Sequence, residues 1–182
     1  RPTSEGGLGV TMATFGWLLL CWNLAQSVIP VFTGGLSDRY GYKQTIFLST
    51  AIKVSGYLWM AWFHSYGGFF VGCMLLAVGT AIFKPGIQGT LIKATNRRNS
   101  SMAWGIFYQT VNIGGWIGPL IALHMRSRIG WTYVFYTNAA FICLNFLWLL
   151  TYREPGRAER LARQQRWRTG AERPPSLARE AW

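Results

Sequence analysis

Lys53 and Lys84 lie inside apolar stretches long enough to cross a bilayer. An ammonium at mid-membrane costs roughly 2.5–3.5 kcal/mol on insertion scales, so such a residue faces a polar cavity or a partner rather than lipid. No Asp or Glu occurs within any of these stretches, so neither lysine finds a countercharge there. The chemistry open to such a group is attraction of an anionic part of a solute, or proton exchange with water or with an acid on another helix. Other polar residues recur at helical spacing. Thr80, Lys84 and Gln88 share a face, as do Ser49, Lys53 and Tyr57; Tyr108 pairs with Asn112, and Asn23 with Ser27. Lys84, Lys53, Tyr108, Asn112, Gln88 and Asn23 are the candidate cavity residues. Lys53 reads either as a cavity group or as a structural partner of another helix. The asparagines read equally as interhelical hydrogen-bonding groups.

Five apolar segments must position these groups. They fall near 11–33, 45–63, 69–92, 104–125 and 131–152, each about 20 residues, the length that spans a hydrocarbon core as a helix. Only 13% of residues are charged, about half the soluble average of roughly 25%. Trp104, Trp131, Trp148, Tyr133 and Tyr152 sit near segment ends, as interfacial anchors do. The expected fold class is therefore all-α, a polytopic membrane protein with five transmembrane helices. Lys84 precedes Lys93 by nine residues, about 13 Å along a helix, and Lys53 follows Gln44 by nine on a helix running the other way. Both amines are expected at similar depth, opening onto one wet vestibule. Pro85 removes a backbone donor and frees the carbonyl of Ala81, a break tolerated at depth where it lines a cavity. Gly68-xxx-Gly72 and Gly114-xxx-Gly118 read as close helix packing within the bundle.

The net charge of +12 would suggest nucleic acid on a soluble domain. Here the charges sit in short connections and in the last 30 residues, so they report topology instead, and no nucleic acid is expected as a partner. Thirteen Lys and Arg fall in 34–44, 93–100 and 153–182, against three (Arg1, Arg126 and Arg128) on the opposite side. The positive-inside rule places those three segments in the cytoplasm. The segment 153–182 reads as a basic tail or linker. Within it, 158–168 could form a short amphipathic helix on anionic headgroups, or the whole could be a disordered linker. Cys21, Cys73 and Cys143 are scattered in apolar runs without CxxC spacing, so no metal site is expected. No cofactor is expected either. With no paired acid, His cluster or nucleophile–base pair in the spans, an enzyme is not expected.

The connection between the first two segments reads Gly34-Gly35-Leu36-Ser37-Asp38-Arg39-Tyr40-Gly41-Tyr42-Lys43. Glycine allows a sharp turn at the membrane surface, Asp38 can cap a helical turn, and Arg39 and Lys43 hold the loop at the cytoplasmic face. The string resembles the signature loop of the major facilitator superfamily, G-x-L-a-D-R-x-G-r-k, which lies between that family's second and third helices. Gly34, Leu36, Asp38, Arg39, Gly41 and Lys43 match, and Tyr42 stands where a basic residue is usual. Residues 79–119 are similar to the fourth and fifth helices of proton-coupled oligopeptide transporters. The matches are Gly79, Lys84, Pro85, Arg97, Arg98, Phe107, Tyr108, Asn112 and Gly114; Gly86 stands where that family usually has Asn. In that family the lysine before proline lines the central cavity and takes part in proton coupling and contact with the peptide carboxylate, so the resemblance implies that role for Lys84.

The resemblance further implies that 1–152 supplies helices two to six of a twelve-helix protein. The first helix and the whole C-terminal half of the same protein would be its missing partners. The expected activity is secondary active transport by alternating access, in the form of proton-coupled uptake of small peptides or related solutes. The expected location is the inner or plasma membrane. The alternatives are another branch of the superfamily, such as drug/proton antiport or sugar transport, or a non-transporting membrane scaffold. Five spans alone are not expected to transport.

Overall fold

The computed structural model describes residues 9–170, apart from the side chains of Leu36 and Asp38. Six helices make up the described chain: α1 (Met12–Tyr40), α2 (Tyr42–Trp62), α3 (Tyr66–Ala94), α4 (Ser100–Arg128), α5 (Trp131–Thr151) and α6 (Arg157–Arg168). The Thr11 hydroxyl accepts from the Thr14 amide at 3.2 Å and starts α1, and the Ser65 hydroxyl accepts from the Gly68 amide at 3.1 Å and starts α3. Each satisfies one of the free donors at a helix N-terminus.

Four segments are long and apolar enough to cross a membrane: Met12–Gly35, Tyr66–Ala94, Ser100–Arg128 and Trp131–Thr151. The remaining long helix, α2, was expected to be a fifth. Its 21 residues reach about 31 Å, enough to span, but it is less apolar than the others. The reason is visible in its packing. Thr45, Ser49, Thr50 and Lys53 are buried against neighbouring helices rather than turned to lipid.

The helix α3 is the hub, packing along α1 on one side and α2 on the other, and α2 in turn packs on α5. The α2–α3 seam is built from small residues spaced seven apart. A Cβ added to Gly72 would lie 3.0 Å from the Gly56 carbonyl oxygen, and one on Gly56 equally close to that of Gly72. Farther along, a Cβ on Gly79 would lie 3.0 Å from the Ser49 carbonyl oxygen, and one on Gly86 would lie 3.3 Å from Ile46. Backbones that approach this closely are how helices associate without a hydrophobic drive between them. Gly86 is thus fitted to α2, where an Asn side chain would require Ile46 to move. Leu18, Met60, Cys73 and Leu76 form the buried cluster at the other end of the seam, covered by Trp22, Tyr57 and Phe135 among others.

By contrast, α4 buries none of its residues, and Gly105, Gly114, Gly115 and Gly118 have open space around them. The Gly114-xxx-Gly118 contact expected inside the bundle is absent among the described residues, because no helix there lies against that face.

Candidate functional site

Lys84 projects from the α3 face that meets α1. Its ammonium is exposed and donates to Gln26 Oε1 at 2.7 Å. Gln26 lies three residues after Asn23 on α1, so the two share a side of that helix. Asn23 is also exposed, and its amide donates to the Leu19 carbonyl at 2.8 Å within its own helix. Gln88 follows Lys84 by one turn of α3 and is half-buried. Lys84, Gln26 and Asn23 thus bring one positive charge and two amides to the α1–α3 side of the bundle.

Lys53 is elsewhere. It is buried, its stem lies against Gly79, and its ammonium sits 3.6 Å from the centroid of the Phe83 ring. A desolvated cation over an aromatic face gains about 2 kcal/mol. Phe83 and Lys84 are successive on α3 and so point about 100° apart. The two amines occupy different seams of α3, Lys53 with α2 and Lys84 with α1. The vestibule expected to hold both is not built by these contacts. Tyr108 and Asn112 are exposed on α4, with Tyr108 stacked on Trp104 at 5.9 Å and edge-on to Phe107 at 5.4 Å.

The string 34–44 is not the loop it was expected to be. Helix α1 runs through Gly34, Gly35 and Arg39 to Tyr40, and α2 begins at Tyr42 with Lys43 in its first turn. Gly41 alone makes the break, at φ +107° and ψ 148°, a region open essentially to glycine. The side chain of Asp38 lies outside the described residues. Tyr42 is buried; a Cβ on Gly89 would lie 2.6 Å from its ring, and Lys93 lies 5.5 Å from its centroid. The position where a basic residue is usual therefore packs an aromatic against α3.

The segment after α5 closes on this junction. Glu154 Oε1 accepts from the Tyr42 amide at 2.7 Å, and its Oε2 pairs with Arg160 at 2.8 Å. Arg160 also donates to the Tyr40 carbonyl at 2.9 Å, and Gln164 donates to the Arg39 carbonyl at 2.7 Å. A carboxylate thus sits at the N-terminus of α2 and a guanidinium at the C-terminus of α1, each the sign that its helix end favours. Tyr152 adds a 2.8 Å hydrogen bond to Thr90 on α3. Of the two alternatives for 158–168, a short helix and a disordered linker, the helix is the one present, over 157–168, and it is hydrogen-bonded to the α1–α2 junction. Sequence reasoning passed over Gln26, Glu154, Arg160 and Gln164. A signal existed for Gln26, a lone amide one turn from Asn23 in an apolar span. None existed for the others, whose partners at the α1–α2 junction lie more than a hundred residues away.

The family model for the Major Facilitator Superfamily matches residues 3–182. The chain belongs to that superfamily. It is 29% identical over 124 residues to the uncharacterized transporter YclF of Bacillus subtilis, covering 65% of this chain and 25% of that one. It is 26% identical over 127 residues to the peptide transporter YePEPT of Yersinia enterocolitica, covering 61% and 25%. A methyl viologen resistance protein of Salmonella typhimurium, SmvA, matches at 26% over 145 residues, covering 78% and 29%. Among solved structures, a peptide transporter in complex with sulfate superposes with a TM-score of 0.66 at 19% identity, covering 94% of this chain and 38% of that chain. The major facilitator chain thus spans about a quarter of the length of these curated relatives. Its helices are those of a multi-pass membrane protein in a family of transporters.

Proposed function

We propose that this chain forms part of a proton-coupled transporter for small peptides or closely related solutes. Lys84 would supply the positive charge that attracts the solute's carboxylate. The observation that carries this reading is the Lys84 ammonium itself, exposed at depth and oriented by Gln26 rather than by an acid. A charge so placed is costly in lipid and useful in a cavity. The name of the Yersinia relative supports peptide as the solute class. Asn23 and Gln88 flank the charge as hydrogen-bonding groups, and Tyr108 and Asn112 contribute from α4. Lys53 holds α2 to α3 through Phe83. The junction from Gly34 to Lys43, with Asp38 and Arg39, braces one of the two alternating states. It lies in the cytoplasm of a cell whose plasma membrane holds the protein, as do 93–100 and the tail. The first helix and the second half of the cavity come from other parts of the same protein.

Counterflow in proteoliposomes holding the full-length protein tests the solute class. A dipeptide is expected to exchange, driven by a pH gradient without sodium, and Lys84→Ala to lower the rate by about tenfold or more, the scale of losing a charged hydrogen-bond partner. An unchanged rate in Lys84→Ala would sink the reading. The Salmonella relative favours a second reading, export of an organic cation. It predicts exchange of methyl viologen instead, and a rate that Lys84→Ala raises by removing a like charge.

A further inference from the structure

A cleft of about 390 Å³ opens between the end of α1 and the last turn of α6, lined by Arg39, Tyr40, Gln164, Trp167 and Arg168. The Gln164 bond to the Arg39 carbonyl fixes its floor. Among the described residues, neither the Arg39 nor the Arg168 guanidinium has a hydrogen bond or ion pair, and none of the side chains lining the cleft is a carboxylate. Two guanidiniums lining one cleft favour an anion, and their planar donor forks match the oxygens of a phosphate.

We propose that this cleft binds the headgroup phosphate of an anionic phospholipid. Its depth selects a lipid over free phosphate. The apolar part of α1 ends at Gly35, and Tyr40 lies five residues farther along, about 7 Å beyond the hydrocarbon and level with the headgroups. Tyr40 is half-exposed and Trp167 half-buried at that level, where amphipathic rings settle. Phe32 precedes Arg39 by two turns on the same side of α1 and is 67% exposed, with Val28 exposed one turn before it. A phosphate held by Arg39 and Arg168 would therefore lay its acyl chains along an exposed apolar face. The proposed lipid also meets α6, which adds Arg157, Arg163 and Arg168 beside one acid of the same helix, Glu159. The headgroup would join α6 to the end of α1 beside the junction that Glu154 and Arg160 already clamp.

Native mass spectrometry of the full-length protein tests this directly. The protein is taken from nanodiscs of phosphatidylcholine with or without phosphatidylglycerol. Phosphatidylglycerol is expected to stay bound where phosphatidylcholine is lost. Arg39→Gln and Arg168→Gln are each expected to weaken its retention about fivefold, and together about thirtyfold. Arg163→Gln, on α6 outside the cleft, is expected to change it less than about twofold. Arg168→Lys keeps the charge and is expected to retain most of the binding. Thermal unfolding in phosphatidylcholine alone reports whether any variant misfolds, and Arg168, exposed at the helix end, is the variant least exposed to that outcome. Three results overturn the proposal: equal loss in Arg163→Gln and Arg39→Gln, which makes the basic face diffuse; no preference for phosphatidylglycerol; or displacement of the lipid by inorganic phosphate.

Discussion

Gly41 carries two demands at one position. Its backbone lies where only glycine is comfortable, and a Cβ there would stand 2.6 Å from the Arg160 guanidinium carbon. Gly41→Ala therefore strains the backbone by about 1–3 kcal/mol and also displaces the side chain that caps α1. A lower thermal unfolding temperature in neutral detergent is the expected result. Gly34→Ala is the contrast, because that glycine is helical and has open space around it. Alanine there raises helix propensity by about 1 kcal/mol and is expected to leave stability equal or better. If both glycines respond alike, the junction does not have the geometry described. The two lysines teach a related lesson. The sequence marked each as costly, yet what a buried cation touches depends on which seam of α3 it enters. One residue of helical phase separates Phe83 over Lys53 from Lys84 beside Gln26.

At the scale of elements, the clamp on the α1–α2 junction is a single electrostatic unit. Glu154 and Arg160 are almost fully buried, with side chains 5% and 14% exposed, and each also serves a backbone end. Removing one leaves the other buried and partly unpaired, which costs more than removing both. In a double-mutant cycle, Glu154→Gln and Arg160→Gln are each expected to lower stability, with a coupling of about 1–2 kcal/mol between them. Additive losses would mean that the pair contributes nothing as a pair. This unit was invisible in the sequence for a definable reason. Helix periodicity and the lengths of the apolar runs are local; they follow α2 to α5 closely but end α1 at residue 33, seven residues short of Tyr40. A carboxylate that caps a helix 112 residues away leaves no periodic trace. The Gly34-Gly35 pair misled for a different reason. It has the composition of a turn, but Gly35 and Ser37 are buried where α1 meets its neighbours, and packing there overrides propensity.

For the whole molecule, α4 is the telling element. A helix with four glycines at Gly105, Gly114, Gly115 and Gly118 gives up about 1 kcal/mol at each relative to alanine. In the seam of α2 and α3 such a loss is offset by close contact, as at Gly56 and Gly72. On α4 no described residue supplies that contact, while the solved peptide transporter is more than twice as long as the stretch matched. Under the proposed reading, the face of Gly114, Gly115 and Gly118 is covered by helices from the rest of the same protein. Gly114→Leu separates the two situations. In the 182-residue chain alone it should leave thermal stability unchanged or raise it, since it relieves glycine's cost and meets no neighbour. In the full-length protein the same side chain must enter a close helix crossing. Overpacking of that kind costs about 1–3 kcal/mol, and both stability and counterflow are expected to fall. Loss of stability in both settings would show that α4 packs within this chain in a way the described contacts do not contain.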